Sequence, residues 1–261
     1  MKPLLTLLIA SVCTSIHAWP FFHSGTKTDN GVPIALVTHG TTGDKPNNGT
    51  VILLHGCSGP NTMYENFASL LAGENFNAII IDSWGYRGMA HGHGPNSVCS
   101  TYSVTGRDRL EEVYKAVEWI NKQQWHKGNI YLIGWSHGGM TALAASKDKQ
   151  LEKGITKSVA FYPYCLPGHF TNPTIPTQIH IGKDDNWTPA WRCRNLYSGA
   201  FSKSDKGEVF EYEDSHHGFD GHFTLSVQGL GDGVIQSRTV RPNHDAKKLA
   251  YERVFKFLKD Q

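Results

Sequence analysis

Three groups of residues in this sequence have the types needed for nucleophilic catalysis, and they stand in three separate segments. The first is Gly134-Trp135-Ser136-His137-Gly138, which fits GxSxG, the turn that lifts a serine hydroxyl above the edge of a sheet. With 27 glycines in 261 residues the bare pattern arises easily by chance, so its surroundings must decide. A serine hydroxyl is a poor nucleophile near neutral pH. It needs a base within hydrogen-bond reach and an acid to orient that base. Two later segments offer them: KDDNWTP (183–189), with Asp184 and Asp185, and DSHHGFD (214–220), with His216 and His217.

The elements that must position these groups are legible in the hydrophobic pattern. Short apolar, β-branched runs read as strands: PIALVTH (33–39), TVILLH (50–55), AIIID (78–82), IYLIGW (130–135), SVAFYP (158–163), TQIHIG (177–182) and EVFEYE (208–213). The central runs are continuously apolar, as strands covered on both faces should be. Helical spacing appears in YENFASLLAGENF (64–76), GRDRLEEVYKAVEWINKQ (106–123) and HDAKKLAYERVFKFLKD (244–260). In the second of these Leu110, Val113, Ala116, Val117 and Ile120 form one apolar stripe, with the charges opposite. Thr188 before Pro189 predicts an N-cap and a helix running toward Tyr197. The alternation predicts an α/β fold: a mostly parallel central sheet with helices on both faces, in one domain over 19–261. The glycine-rich stretch 221–243 reads as a hairpin or loop excursion before the last helix.

Within that frame Ser136 directly follows the strand IYLIGW and directly precedes HGGMTALAASKD (137–148), a good helix former. A turn this tight strains the serine backbone and requires small neighbours. It also puts the hydroxyl at a helix N-terminus, where amides favour developing negative charge. The acid and base candidates each follow a predicted strand, in the order Ser, Asp, His.

The formal charge of +2, with no cluster of Lys and Arg interleaved with aromatics, predicts no nucleic-acid partner. Residues 1–18, MKPLLTLLIASVCTSIHA, combine Lys2, an apolar run and a small residue at Ala18. That pattern predicts a cleaved signal peptide, export to the periplasm or beyond, and no stable membrane insertion afterwards. Cleavage removes Cys13 and leaves Cys57, Cys99, Cys165 and Cys193, an even count in an oxidising compartment. Four cysteines allow three pairings. Placement in loops after neighbouring strands favours Cys57–Cys99 and Cys165–Cys193. No CxxC pair suggests zinc, and His91-Gly92-His93 reads as a solvated loop rather than a metal site.

The stretches LLHGCSGPN (53–61), IIIDSWGYRG (79–88), IGWSHGGM (133–140), GKDDNWTPA (182–190) and YEDSHHGFD (212–220) together resemble, in order, the dienelactone hydrolase family of the α/β-hydrolase superfamily. The resemblance implies an α/β-hydrolase fold and acyl transfer without a cofactor. Its acid lies four positions before the proline, which selects Asp185. Its histidine precedes a small residue and a phenylalanine, which selects His217. It further implies an oxyanion hole from the backbone amides of His137 and of Cys57, and hence a structural role for a Cys57 disulfide. Two departures stand out, since dienelactone hydrolase itself uses a cysteine where this chain has Ser136 and a glutamate where it has Gly56. They weigh against dienelactone as substrate and leave a serine hydrolase of carboxylic esters or lactones. Aromatic and basic residues near the expected mouth, Trp84, Tyr86, Arg87, Trp135, Trp187 and Trp191, offer surface for an apolar or ring-bearing group, and Trp84, Tyr86, Arg87 and Trp187 are the substrate-contact candidates. The alternatives on the same residues are a peptidase, a polyester depolymerase, or a ligand-binding protein that has lost turnover.

Overall fold

The structure, a computed structural model, describes residues 26–40, 47–94, 96–149, 151–152, 154–166, 172–197, 205–231 and 234–260. The signal peptide expected over 1–18 lies outside the described residues. In chain order the elements are β1 Ile34–Thr38, β2 Thr50–Leu54, α1 Thr62–Gly73, β3 Asn77–Ile81, α2 Ser83–Tyr86, α3 Val98–Thr101, α4 Leu110–Asn121, β4 Ile130–Trp135 and α5 His137–Ser146. They continue with β5 Lys157–Phe161, β6 Thr177–Gly182, α6 Ala190–Tyr197, β7 Gly207–Tyr212, β8 Leu225–Gly231, β9 Val234–Val240 and α7 His244–Lys259.

Seven strands form one sheet in the order β1-β3-β2-β4-β5-β6-β7. Only β1 runs antiparallel, against β3, and every other pairing is parallel. All residues of β2, β3 and β4 are buried, because helices cover both faces and no side of these strands meets water. This is the α/β architecture that the alternation of apolar runs and helical spacing predicts. From β2 the chain first goes outward to β3 and then crosses back to place β4 on the other side of β2. Such a reversal leaves a crevice beyond the carboxyl ends of the two strands, and the loops after β2 and β4 open into it.

Helices α1 and α7 start where side chains take up free amides. Asn61 accepts from the Met63 amide at 2.9 Å at the head of α1, and Asn243 accepts from Ala246 at 3.1 Å at the head of α7. The first helix ends at Gly73, short of the predicted 76, and Asn75 takes the left-handed conformation (φ 62°) that turns the chain into β3. On α4 the apolar stripe packs inward as expected, but Glu112 is also buried, so the charges are not all on the far side. The stretch 221–243 contains an antiparallel hairpin, β8 with β9, separate from the main sheet.

Both disulfides have the expected pairing, Cys57–Cys99 and Cys165–Cys193. The first ties the loop after β2 to α3; the second ties the loop after β5 to α6. Among the described residues no helix is long and apolar enough to cross a membrane.

Candidate active site

Ser136 occupies the one-residue turn between β4 and α5, with φ 52° and ψ −112°, a conformation that a non-glycine residue holds only under constraint. The constraint comes from both sides: its amide donates to the Phe161 carbonyl at 2.8 Å and its carbonyl accepts from Met140 at 3.0 Å. The flanking glycines are sterically required. A Cβ on Gly134 would stand 2.0 Å from the Gly138 carbonyl oxygen, and one on Gly138 would stand 2.1 Å from that of Leu54. The GxSxG spacing is therefore what lets strand, turn and helix close on one another.

The loop after β7 brings His217 Nε2 to 3.0 Å from Ser136 Oγ. On the other side of the ring, Nδ1 lies 2.8 Å from Asp185 Oδ2, with Asp185 supplied by the loop after β6. Asp185 is saturated with donors: Oδ1 accepts from the amides of Trp187 at 2.8 Å and Thr188 at 2.7 Å. The Thr188 hydroxyl lies 2.8 Å from Asp185 Oδ2, 3.0 Å from the Tyr162 carbonyl and 3.1 Å from His217 Nδ1. Sequence reading made Thr188 a helix cap; its hydroxyl is instead packed between the acid and the base. The imidazole of His217 is held between the rings of Tyr162 and Trp187, with centroids 4.6 and 5.0 Å away. His216 makes none of these contacts, and Asp184 only has its amide bonded to the Ser215 carbonyl.

The backbone amides of Cys57 and His137 are not taken up by a protein acceptor among the described residues, and both residues border the space beside Ser136. The imidazole of His137, although adjacent to the serine, is committed elsewhere. Its Nε2 donates to the Val104 carbonyl at 2.7 Å, and its Nδ1 accepts from Arg109 at 3.3 Å. Burial, reinforced by the Arg109 charge, pulls its pKa down to about 3, so the ring stays neutral.

Arg109 is wholly buried, and sequence reading did not anticipate it. Its Nη1 also donates to the His55 carbonyl at 2.8 Å, and its Nε donates to Ser83 Oγ at 2.8 Å. Ser83 in turn donates to Glu112, which also pairs with Arg87. The guanidinium lies 4.9 Å from the centroid of Trp84, whose Nε1 donates to the Cys57 carbonyl at 2.8 Å. Burial lowers the pKa of Arg109 to about 10, which leaves it charged at neutral pH. One cation thus braces the loops carrying both free amides. A second unanticipated brace is Asp220, fully buried, which accepts from Trp135 Nε1 at 2.7 Å, Tyr162 Oη at 2.7 Å and Tyr251 Oη at 3.2 Å. The available signal for both was weak: a charged residue at the start of an apolar helical pattern, and an acid at the end of DSHHGFD.

A cavity of about 150 Å³ opens onto Ser136 and His217, walled by Met63, Tyr64, His93, Trp187, Phe223 and others. Of the four substrate-contact candidates it includes only Trp187. Trp84 is fully buried beneath the Cys57 loop, Arg87 is engaged with Glu112 and the Ser83 carbonyl, and Tyr86 lies beside Lys27 near β1. Trp135 lies in the core stacked on Phe161 at 5.2 Å, and Trp191 is half exposed on α6, stacked against Arg192. His93 lines the cavity, while His91 pairs with Asp82.

Residues 37–261 match the family model described as the dienelactone hydrolase family. The chain belongs to the dienelactone hydrolase family. Among solved structures it is similar to a Klebsiella pneumoniae subsp. pneumoniae protein described as a dienelactone hydrolase, at 14% identity over 86% of this chain and 92% of that one, with a TM-score of 0.66. It is also similar to a soluble variant of Saccharomyces cerevisiae monoglyceride lipase in complex with a substrate analogue, at 11% identity, 92% and 98% coverage and a TM-score of 0.61. An esterase of the planctomycete Thermogutta terrifontis with propionate bound is similar at 17% identity, 90% and 93% coverage and a TM-score of 0.58. At these identities the likeness is one of fold, the α/β-hydrolase fold. Among curated proteins, none matches. A Cβ on Gly56 would stand 3.4 Å from that of Ser136, an ordinary van der Waals contact, so the space beside Ser136 does not by itself require glycine there.

Proposed function

We propose that this protein is an exported serine hydrolase, a single domain once its leader is removed, that cleaves carboxylic esters or lactones through an acyl-enzyme. Ser136 Oγ attacks the carbonyl carbon while His217 Nε2 accepts its proton. Asp185, bonded to Nδ1, holds the ring in the tautomer with a free Nε2 and stabilises the imidazolium that forms. The amides of Cys57 and His137 bind the developing oxyanion. His217 then returns the proton to the leaving alkoxide, and water repeats the sequence on the acyl-serine.

The observation that carries this reading is the continuous path Ser136 Oγ to His217 Nε2 at 3.0 Å and His217 Nδ1 to Asp185 at 2.8 Å. Family membership and the esterase and lipase names of the similar structures support an ester as substrate. Two disulfides are consistent with an oxidising compartment. Turnover of short p-nitrophenyl esters should disappear in Ser136→Ala, and a fluorophosphonate probe should label Ser136 in the unsubstituted protein. A ligand-binding protein without turnover would show neither labelling nor hydrolysis.

A further inference from the structure

We infer that β9 sets the acid against the base, with Arg238 and Asn186 as positioning residues. This rests on the serine-hydrolase reading above and adds what fixes the spacing of its acid and base. Asp185 and His217 come from different loops, after β6 and after β7, and the relay works only while their side chains stay in contact. The β6–β7 ladder ends at Gly182 and Tyr212. Past it one backbone bond joins the two loops directly, from the Asp184 amide to the Ser215 carbonyl at 3.0 Å.

Residues 238–241, the end of β9 and its exit, reach both loops in turn. Arg238 Nη1 donates to the Asn186 carbonyl, and the Thr239 amide donates to Asn186 Oδ1 at 2.9 Å. Asn186 directly follows the acid, whose carboxylate is itself bonded to the next two amides of the same loop. Val240 then pairs in parallel with His217, and the Arg241 amide donates to the His217 carbonyl at 3.1 Å. Two residues on, the Asn243 amide donates to the Phe219 carbonyl at 2.8 Å, so the base loop runs alongside the chain leaving β9. The seat is close: Gly218 has φ 65°, and a Cβ there would stand 2.7 Å from Val240 Cγ1. Arg238 is buried although Gln236 and Ser237 before it are exposed, and a cation is withdrawn from water only where its donors are used. While these bonds hold, the acid loop and the base loop share one support. Losing the hold on Asn186 frees the acid to move relative to His217.

The test compares Arg238→Met and Asn186→Ala with a control, Ser237→Ala, which removes an exposed β9 hydroxyl bonded to Ser226 across the hairpin. Hydrolysis of p-nitrophenyl acetate is measured per Ser136 that a fluorophosphonate labels, so unfolded protein is not counted. Arg238→Met should lower kcat about tenfold and Asn186→Ala about threefold, the scale of a misplacement of less than an ångström. Acylation and deacylation use the same relay, so KM should stay within about twofold. Arg238→Lys, which keeps a donor for the Asn186 carbonyl, should recover most of the loss, and Ser237→Ala should match the unsubstituted protein. A raised KM at unchanged kcat would make the hairpin only a wall of the cavity, to which Leu225 and Val240 contribute, and would overturn the inference. Unchanged kcat in either variant, or an equal loss in Ser237→Ala, would overturn it as well. Should Arg238→Met fail to fold, Asn186→Ala, at an exposed position, decides alone. Each of these results leaves the hydrolase reading intact. No labelling of Ser136 and no hydrolysis by the unsubstituted protein would overturn both.

Discussion

Lowering the pH to 5.5 should remove a large part of this protein's stability, through protons taken up by buried histidines when the chain unfolds. Three imidazoles are buried in neutral form: His55, His137 and His180. His55 donates to the Gly56 carbonyl and accepts from the Ser83 amide; burial, then the nearby Arg109, holds its pKa well below the ordinary value. His137 is pulled down to about 3 by burial and Arg109. His180 lies between Phe161 and Phe210 with Nδ1 at 2.7 Å from Tyr212 Oη, and burial brings it to about 3. Each folded pKa is below the unfolded value of about 6.5, so the stabilisation is present above that value and is lost as pH falls below it. Between pH 7 and pH 5.5 each such histidine costs about 1.3 kcal/mol, or about 4 kcal/mol for the three, against a typical total of about 5–15 kcal/mol. His93 and His126, shifted the same way by partial burial, act in the same direction. The assay is denaturant unfolding at the two pH values with the disulfides intact. The limiting slope should approach three protons per molecule, and His180→Gln, whose side chain lies in the sheet away from Ser136, should lower it by about one. A loss below about 1.5 kcal/mol would refute the reasoning, since it would mean these rings charge in the folded state.

Thr188→Val removes the hydroxyl between Asp185 and His217 while leaving the Thr188 amide bond to the acid in place. Ester kcat/KM should fall about tenfold with little change in unfolding midpoint, the scale of one hydrogen bond to a charged group. The double variant Cys57→Ser/Cys99→Ser opens a cross-link spanning 42 residues, and the chain-entropy estimate for such a loop is about 4 kcal/mol, measurable as a reduced unfolding free energy.

The sheet was readable from sequence because its central strands are buried on both faces and so appear as unbroken apolar runs flanked by helical spacing. The strand predicted over 78–82 is realised as Asn77–Ile81, and its last predicted residue, Asp82, instead caps α2, since a short polar side chain serves either state. Ser136 stands out in the sequence because it follows a strand directly, and the pairs Asp184/Asp185 and His216/His217 because each lies in the loop just after a strand; strand position does not choose within either pair, and that choice comes from the family resemblance. The substrate candidates Trp84, Tyr86 and Arg87 were chosen for chemistry and proximity in sequence, and neither property reports direction. The α2 turn sends Trp84 inward against Arg109 and engages Arg87 with Glu112.

Sequence alone thus determined the layers of the fold, the turn that strains Ser136 and the order of the acid and base segments, because each depends on residues adjacent in the chain or on strand periodicity; the disulfide pairing, one of three that four cysteines allow, joins residues 42 and 28 positions apart and is decided by the fold. Tertiary structure alone decided which buried charges brace the site. Arg109 contacts His55, Ser83 and His137, separated from it by 54, 26 and 28 positions. Asp220 gathers Trp135 from β4, Tyr162 from just after β5 and Tyr251 from α7. A buried ion is tolerated only when distant groups converge to satisfy it, and no local pattern records that convergence.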